Sequence, residues 1–87
     1  MLVRNYVDFE LLALDIYGSL LEEELELVHE MGEEEESEAT GKAVKRLLDA
    51  LTDGDWLGQI EWVEVSEEDQ QAYVERVFES YESEVLA

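Results

Sequence analysis

The chain has no cysteine, no proline, one histidine and only five basic residues in a length of 87. Without cysteine there is no disulfide, no thiolate metal site and no thiol chemistry. A serine triad would rest on His29 alone. Ser19, Ser37, Ser66, Ser80 and Ser83 also lack the flanking glycines of a nucleophile elbow. No glycine-rich phosphate loop is present. No apolar run approaches the roughly 20 residues that span a bilayer, and no basic start followed by an apolar stretch marks a secretory leader. These absences point away from catalysis and cofactors, and toward a soluble cytoplasmic protein of one domain.

What is abundant is negative charge. Twenty-five acidic residues against five basic ones give a net charge of −20. That balance excludes direct binding to a DNA or RNA backbone and disfavours anionic membrane surfaces. The chain is nevertheless no disordered acidic tail, because it is 46% hydrophobic, with two Trp, four Tyr and two Phe. A modest core is within reach. Ten of the glutamates fall between Glu22 and Glu38. Like charges one helical turn apart destabilise a helix, and dense charge works against the compact state. A stability rule broken this heavily marks a functional surface.

With no proline and five glycines, helices are expected to dominate. The expectation is an all-α bundle of three or four helices, with a minor extended element near residues 60–65. Asn5 or Asp8 starts a first helix through Phe9, Leu11, Leu12, Leu14, Ile16 and Tyr17. Gly18 interrupts or kinks it, and Ser19 with Glu22 fits a capping box for a continuation that buries Leu20, Leu21, Leu25, Val28 and Met31. Gly32 is placed to end that segment, and residues 33–38 read as a solvated connector or a frayed helix start. A third helix, from about Thr40 to Leu51, buries Val44, Leu47, Leu48 and Leu51. Asp53-Gly54 signals a turn. Residues 56–65 are ambiguous: Trp56, Ile60 and Val63 fit a helical stripe, while a strand there would need a partner that only residues 2–7 offer. Ser66 opens a last helix that packs Tyr73, Val74, Val77, Phe78, Tyr81 and Val85.

Carboxylates in such number raise the question of metal. Glu26 and His29 have the Glu-x-x-His spacing of di-iron bundles, but that site needs the motif twice and the chain has one copy. Asp53-Gly54-Asp55 is a fragment of a calcium loop without its remaining ligands. No metal site is expected.

The glutamate run carries one ordered feature. Glu22, Glu26, Glu30, Glu34 and Glu38 recur every fourth residue. On one continuous helix they would form a stripe about 24 Å long, a length comparable to about seven phosphates of a DNA strand. Glu23, Glu24, Glu33, Glu35 and Glu36 thicken it. A second acidic set, Glu75, Glu79 and Glu82, shares a face of the last helix. Lys42, Lys45 and Arg46 are expected to lie against the acidic stretch and relieve part of its repulsion. In size, charge and the Glu22-to-Glu38 stripe, the chain resembles the DNA-mimic inhibitors of phages and mobile elements, the anti-CRISPR and anti-restriction proteins. That resemblance implies a partner with a basic, nucleic-acid-binding groove, such as a CRISPR effector or another DNA-binding enzyme, met by these glutamates. Trp56, Trp62, Tyr6 and Tyr81 are rim-anchor candidates that fit the core better. A homodimer would double the acidic surface. Two other readings stand beside this one: an acidic adaptor that binds a basic protein without displacing nucleic acid, and a domain adapted to a high-salt cytoplasm.

Overall fold

Asn5 sets where the first helix begins. Its backbone is extended (φ −156°, ψ 179°), and its side-chain oxygen accepts the Asp8 amide at 3.0 Å, satisfying one of the donors that a first helical turn leaves without a partner. In the computed structural model, which describes residues 2–28, 32–53 and 57–86, the helix so started, α1, runs Tyr6–Glu26 without interruption. The break expected at Gly18 is absent, and Ser19 and Glu22 are exposed residues within the helix rather than a capping box. The apolar spacing explains this. Phe9, Leu12, Ala13, Ile16 and Leu20 keep one face toward the core on both sides of Gly18, and a helical glycine costs only about 1 kcal/mol against that burial.

The second helix, α2, spans Glu33–Asp53 and starts seven residues earlier than its apolar stripe suggests. Glu33, Glu34, Glu35 and Glu36 form its first turn, where carboxylates meet the positive end of the helix dipole. Residues 33–38 are therefore helix and not connector. Gly32 opens this helix instead of closing the previous one: its carbonyl accepts the Glu36 amide at 3.0 Å. Val44, Leu47 and Leu51 are buried, and Leu48 is half-buried.

A 3₁₀ turn at Leu57–Gln59 leads into β2, Glu61–Trp62, which pairs in parallel with β1, Leu2–Val3. Leu2 lies opposite Glu61 and Val3 opposite Trp62, and the Val63 amide adds a bond to the Val3 carbonyl at 2.9 Å. The extended element is thus present, with its partner in the N-terminal segment. Trp56, Gly54 and Asp55 lie outside the described residues. Glu64 turns the chain in the left-handed region (φ 51°), and Ser66 caps the last helix, α3, Glu67–Leu86, by accepting the Asp69 amide on its hydroxyl at 3.2 Å.

Glu24, Leu27 and Val28 at the end of α1 face Glu35, Glu38, Ala39 and Lys42 at the start of α2, and Arg46 further along α2 reaches Glu23 and Glu24, so α1 and α2 are antiparallel neighbours. Tyr6 meets Tyr73 and Tyr17 meets Tyr81 at ring separations of 5.9 and 5.5 Å, so α3 runs in the same direction as α1. Trp62 stacks on Phe9 at 5.6 Å, and Arg76 sits 4.0 Å over the Tyr6 ring. Tyr81 is buried and Tyr6 and Trp62 are half-buried, all within or against the core; they are not rim anchors. The expected buried set is trimmed at two places. Leu20, Leu21, Leu25 and Val28 are only half-buried, and Val85, past the last core residue of α3, is 40% exposed. Met31 lies outside the described residues. The result is an all-α bundle of three helices with a two-residue parallel pairing, elongated to 46 × 24 × 21 Å.

Two outcomes follow from these placements. A Cβ at Gly18 would meet no atom within 4 Å, so Gly18→Ala raises unfolding free energy by about 0.5–1 kcal/mol in urea titration; a loss would mean that α1 is bent or covered there. Burial, with the Glu84 carboxylate adding, pushes the Tyr81 phenol above its ordinary pKa. The folded protein holds that proton longer than the unfolded chain does. The stability so contributed is intact below about pH 10 and declines as pH rises through the folded value. Urea unfolding across that alkaline range in wild type and Tyr81→Phe measures it, with the decline expected to be shallower in the variant.

Candidate functional site: an acidic end of the bundle

The helix directions bring three termini to one end of the molecule: the C-terminus of α1, the N-terminus of α2 and the C-terminus of α3. Glu22, Glu23, Glu24 and Glu26 come from α1 and Glu33, Glu34, Glu35, Glu36 and Glu38 from α2, while Glu82 and Glu84 stand in the last turns of α3, beyond the Tyr17–Tyr81 pair. No helix has a basic residue in its last turn. The α2 glutamates suit their helix dipole and need no functional explanation. Those of α1 and α3 sit at the negative ends of theirs, where anions are disfavoured. The local rule is therefore broken at the end of α1 and along the last turns of α3.

The single-helix stripe is overturned. Helix α1 stops at Glu26, where the amides of Leu27 and Val28 fold back to the carbonyls of Glu24 and Leu25, and α2 begins at Glu33. The four-residue repeat is thereby split, with Glu22 and Glu26 on one helix and Glu34 and Glu38 on its antiparallel neighbour. Glu30 and His29 lie outside the described residues, and with His29 goes the Glu-x-x-His motif. Burying Ala39 and Ala43 on α2 favours the hairpin over an extended rod. The charges stay together, folded across two helices instead of strung along one.

Arg46 acts as a clamp. Its two terminal nitrogens donate to Glu23 at 2.9 Å and to Glu24 at 3.2 Å. The Glu23 bond above all, with Glu24 adding and desolvation opposing, holds the guanidinium pKa above its ordinary value. Lys42 lies 3.8 Å from Glu38 one turn away. Two of the three clustered cations thus lie against the acidic stretch, as expected. Glu23 is paired with Arg46 but stays 61% exposed at the surface where it was expected, whereas the Glu24 side chain is only 13% exposed. Glu22, Glu26, Glu33, Glu34, Glu36 and Glu38 are exposed, and Glu35 is half-buried. On α3, Glu75 and Glu79 are exposed and Glu82 is half-buried on the same face. An open cleft of ≈ 330 Å³ between the end of α1 and the start of α2 is lined by Glu24, Leu27, Val28, Glu35, Glu38, Ala39 and Lys42.

Among the described residues, no three His, Asp or Glu side chains are grouped to hold a metal ion, and no helix is long and apolar enough to cross a membrane. No protein family, curated protein or solved structure matches the chain.

Sequence reasoning placed the α1 and α2 glutamates in one region but missed that the end of α3 joins them. The pairs Tyr6–Tyr73 and Tyr17–Tyr81, which only a co-directional α1 and α3 can make, are contacts of the folded chain and left no signal in the sequence. Removing the clamp tests the electrostatics. Arg46→Gln should lower the melting temperature in dilute buffer, and the gap should narrow as salt screens the freed glutamates. A gap independent of salt would assign Arg46 a packing role instead.

Proposed function

We propose that the protein is a DNA mimic that occupies the positively charged groove of a nucleic-acid-binding protein and keeps DNA out, with a CRISPR effector as the leading target class. The observation that carries this reading is charge per length. The body is 46 Å long and bears −20. Duplex DNA carries about one charge per 1.7 Å of axis, or about 27 over the same distance, so the protein reaches roughly three-quarters of the duplex density. The mimicry resides in the whole rod and its acidic end, not in one helical stripe. Glu22, Glu26, Glu33, Glu34, Glu36 and Glu38 make the leading edge, and Glu75, Glu79 and Glu82 extend it along α3. Long-range attraction steers such a surface into a Lys/Arg-lined cleft, and rigid helices spare most of the ordering cost that a flexible acidic tail would carry. The protein performs no chemistry in this role; it excludes substrate by occupying its place.

The test is competition. Added protein should prevent a CRISPR effector, or another nuclease in a panel, from binding its DNA, with an inhibition constant that weakens as salt rises. Glu22→Lys, Glu26→Lys and Glu34→Lys together should reduce inhibition at least tenfold while the helical circular dichroism spectrum is retained. Undiminished DNA binding by every enzyme in the panel would remove the proposal, as would equal inhibition by the reversed protein.

A further inference from the structure

Helix α1 has two apolar faces, and the bundle uses one. Phe9, Leu12, Ala13, Ile16 and Leu20 face the core. Val7, Leu11 and Leu14 are 59%, 60% and 48% exposed. Their line continues through exposed Gly18 to half-buried Leu21 and Leu25. The steps from residue 7 to residue 25 alternate four and three, which is the 3.5-residue seam of a coiled coil. At 1.5 Å per residue the seam is about 27 Å long. Nothing lies within 4 Å of a Cβ built at Gly18, so another backbone can come close at the middle of the seam. A recess of ≈ 340 Å³ beside Leu11 is walled by Leu2, Leu12 and the Asp8 and Asp15 side chains, which suits an apolar stem ending in a cation.

The flanks select the occupant. In heptad terms, Asp8, Asp15 and Glu22 border the seam on one side and Glu10 on the other, in the positions that set partner choice in coiled coils. A second copy of the chain would place carboxylate against carboxylate along the whole contact, and an anionic bilayer would meet the same repulsion. We infer that this face of α1 receives an amphipathic helix of another protein, apolar at alternating three- and four-residue steps and flanked by Lys or Arg. The inference does not depend on DNA mimicry: the seam meets the acidic end only at Glu22 and Leu25, and its ligand is a helix rather than a DNA-binding groove.

A three-heptad peptide with Leu at the seam positions and Lys on both flanks is the probe, titrated by fluorescence anisotropy against the full chain. It should bind at least tenfold more tightly than a peptide of identical composition with the periodicity scrambled, and a Glu-flanked version should not bind. Leu11→Gln with Leu14→Gln, both at exposed positions, should erase the advantage over the scrambled peptide without altering the helical signal. Equal binding of periodic and scrambled peptides would reduce the effect to bulk charge and overturn the inference. Retained preference in the double variant would do the same. A concentration-dependent dimer by light scattering that the double variant abolishes would assign the face to a second copy instead.

Discussion

Mutual repulsion among carboxylates gathered at one end of the bundle is the constraint around which the rest of the structure is arranged. It is opposed by a small apolar core, centred on Val3, Phe9, Val44, Leu47 and Val77, and by very few cations. Arg46, the best placed of them, reaches from α2 to two glutamates of α1. A surface ion pair of this kind is weak in itself. Its position matters more, because it ties the second half of α2 to the last turns of α1. The α2 glutamates are partly accommodated by their own helix dipole, while those of α1 are not. The frustration is thus concentrated where α1 ends and the chain turns.

Much of the fold was legible because apolar periodicity and capping chemistry are local signals. Asn5 and Ser66 each accept a first-turn amide as their positions suggest, and the stripe from Val44 to Leu51 packs inward. The short β element was legible for a different reason, in that residues 2–7 were the only partner on offer. The errors also share one cause. Gly18, Gly32 and the run from Glu33 to Glu36 were weighed by intrinsic propensity, and at each of them tertiary packing or the helix dipole outweighed it. The glutamate stripe failed for the same reason: a repeat of four says where side chains fall if a helix continues, and says nothing about whether it does. The co-direction of α1 and α3 depends on contacts distant in sequence, which no local pattern encodes.

The outward face of α1 was hidden in the sequence by its own abundance. With leucines at 11, 12, 14, 20, 21 and 25, almost any helical stripe finds support, and only the packing of α2 and α3 against Phe9, Leu12 and Ile16 shows which leucines remain outside. The molecule therefore presents two surfaces of different chemistry: a charged end suited to a cationic groove, and an apolar seam bordered by carboxylates suited to a basic helix. On the two proposals made above, both would meet positively charged partners.

The central claim is that most of the charge at the acidic end is not neutralised within the chain and is held together chiefly by packing, with Arg46 and the α2 dipole relieving only part of it. Equilibrium urea unfolding measured from about 10 mM to 1 M sodium chloride tests it most directly, since the Debye length falls across that range from about 30 to 3 Å. The account predicts a cooperative transition already present in the most dilute buffer and an unfolding free energy that climbs steadily with salt. A stability indifferent to salt would mean that the carboxylates are already compensated, and would contradict it.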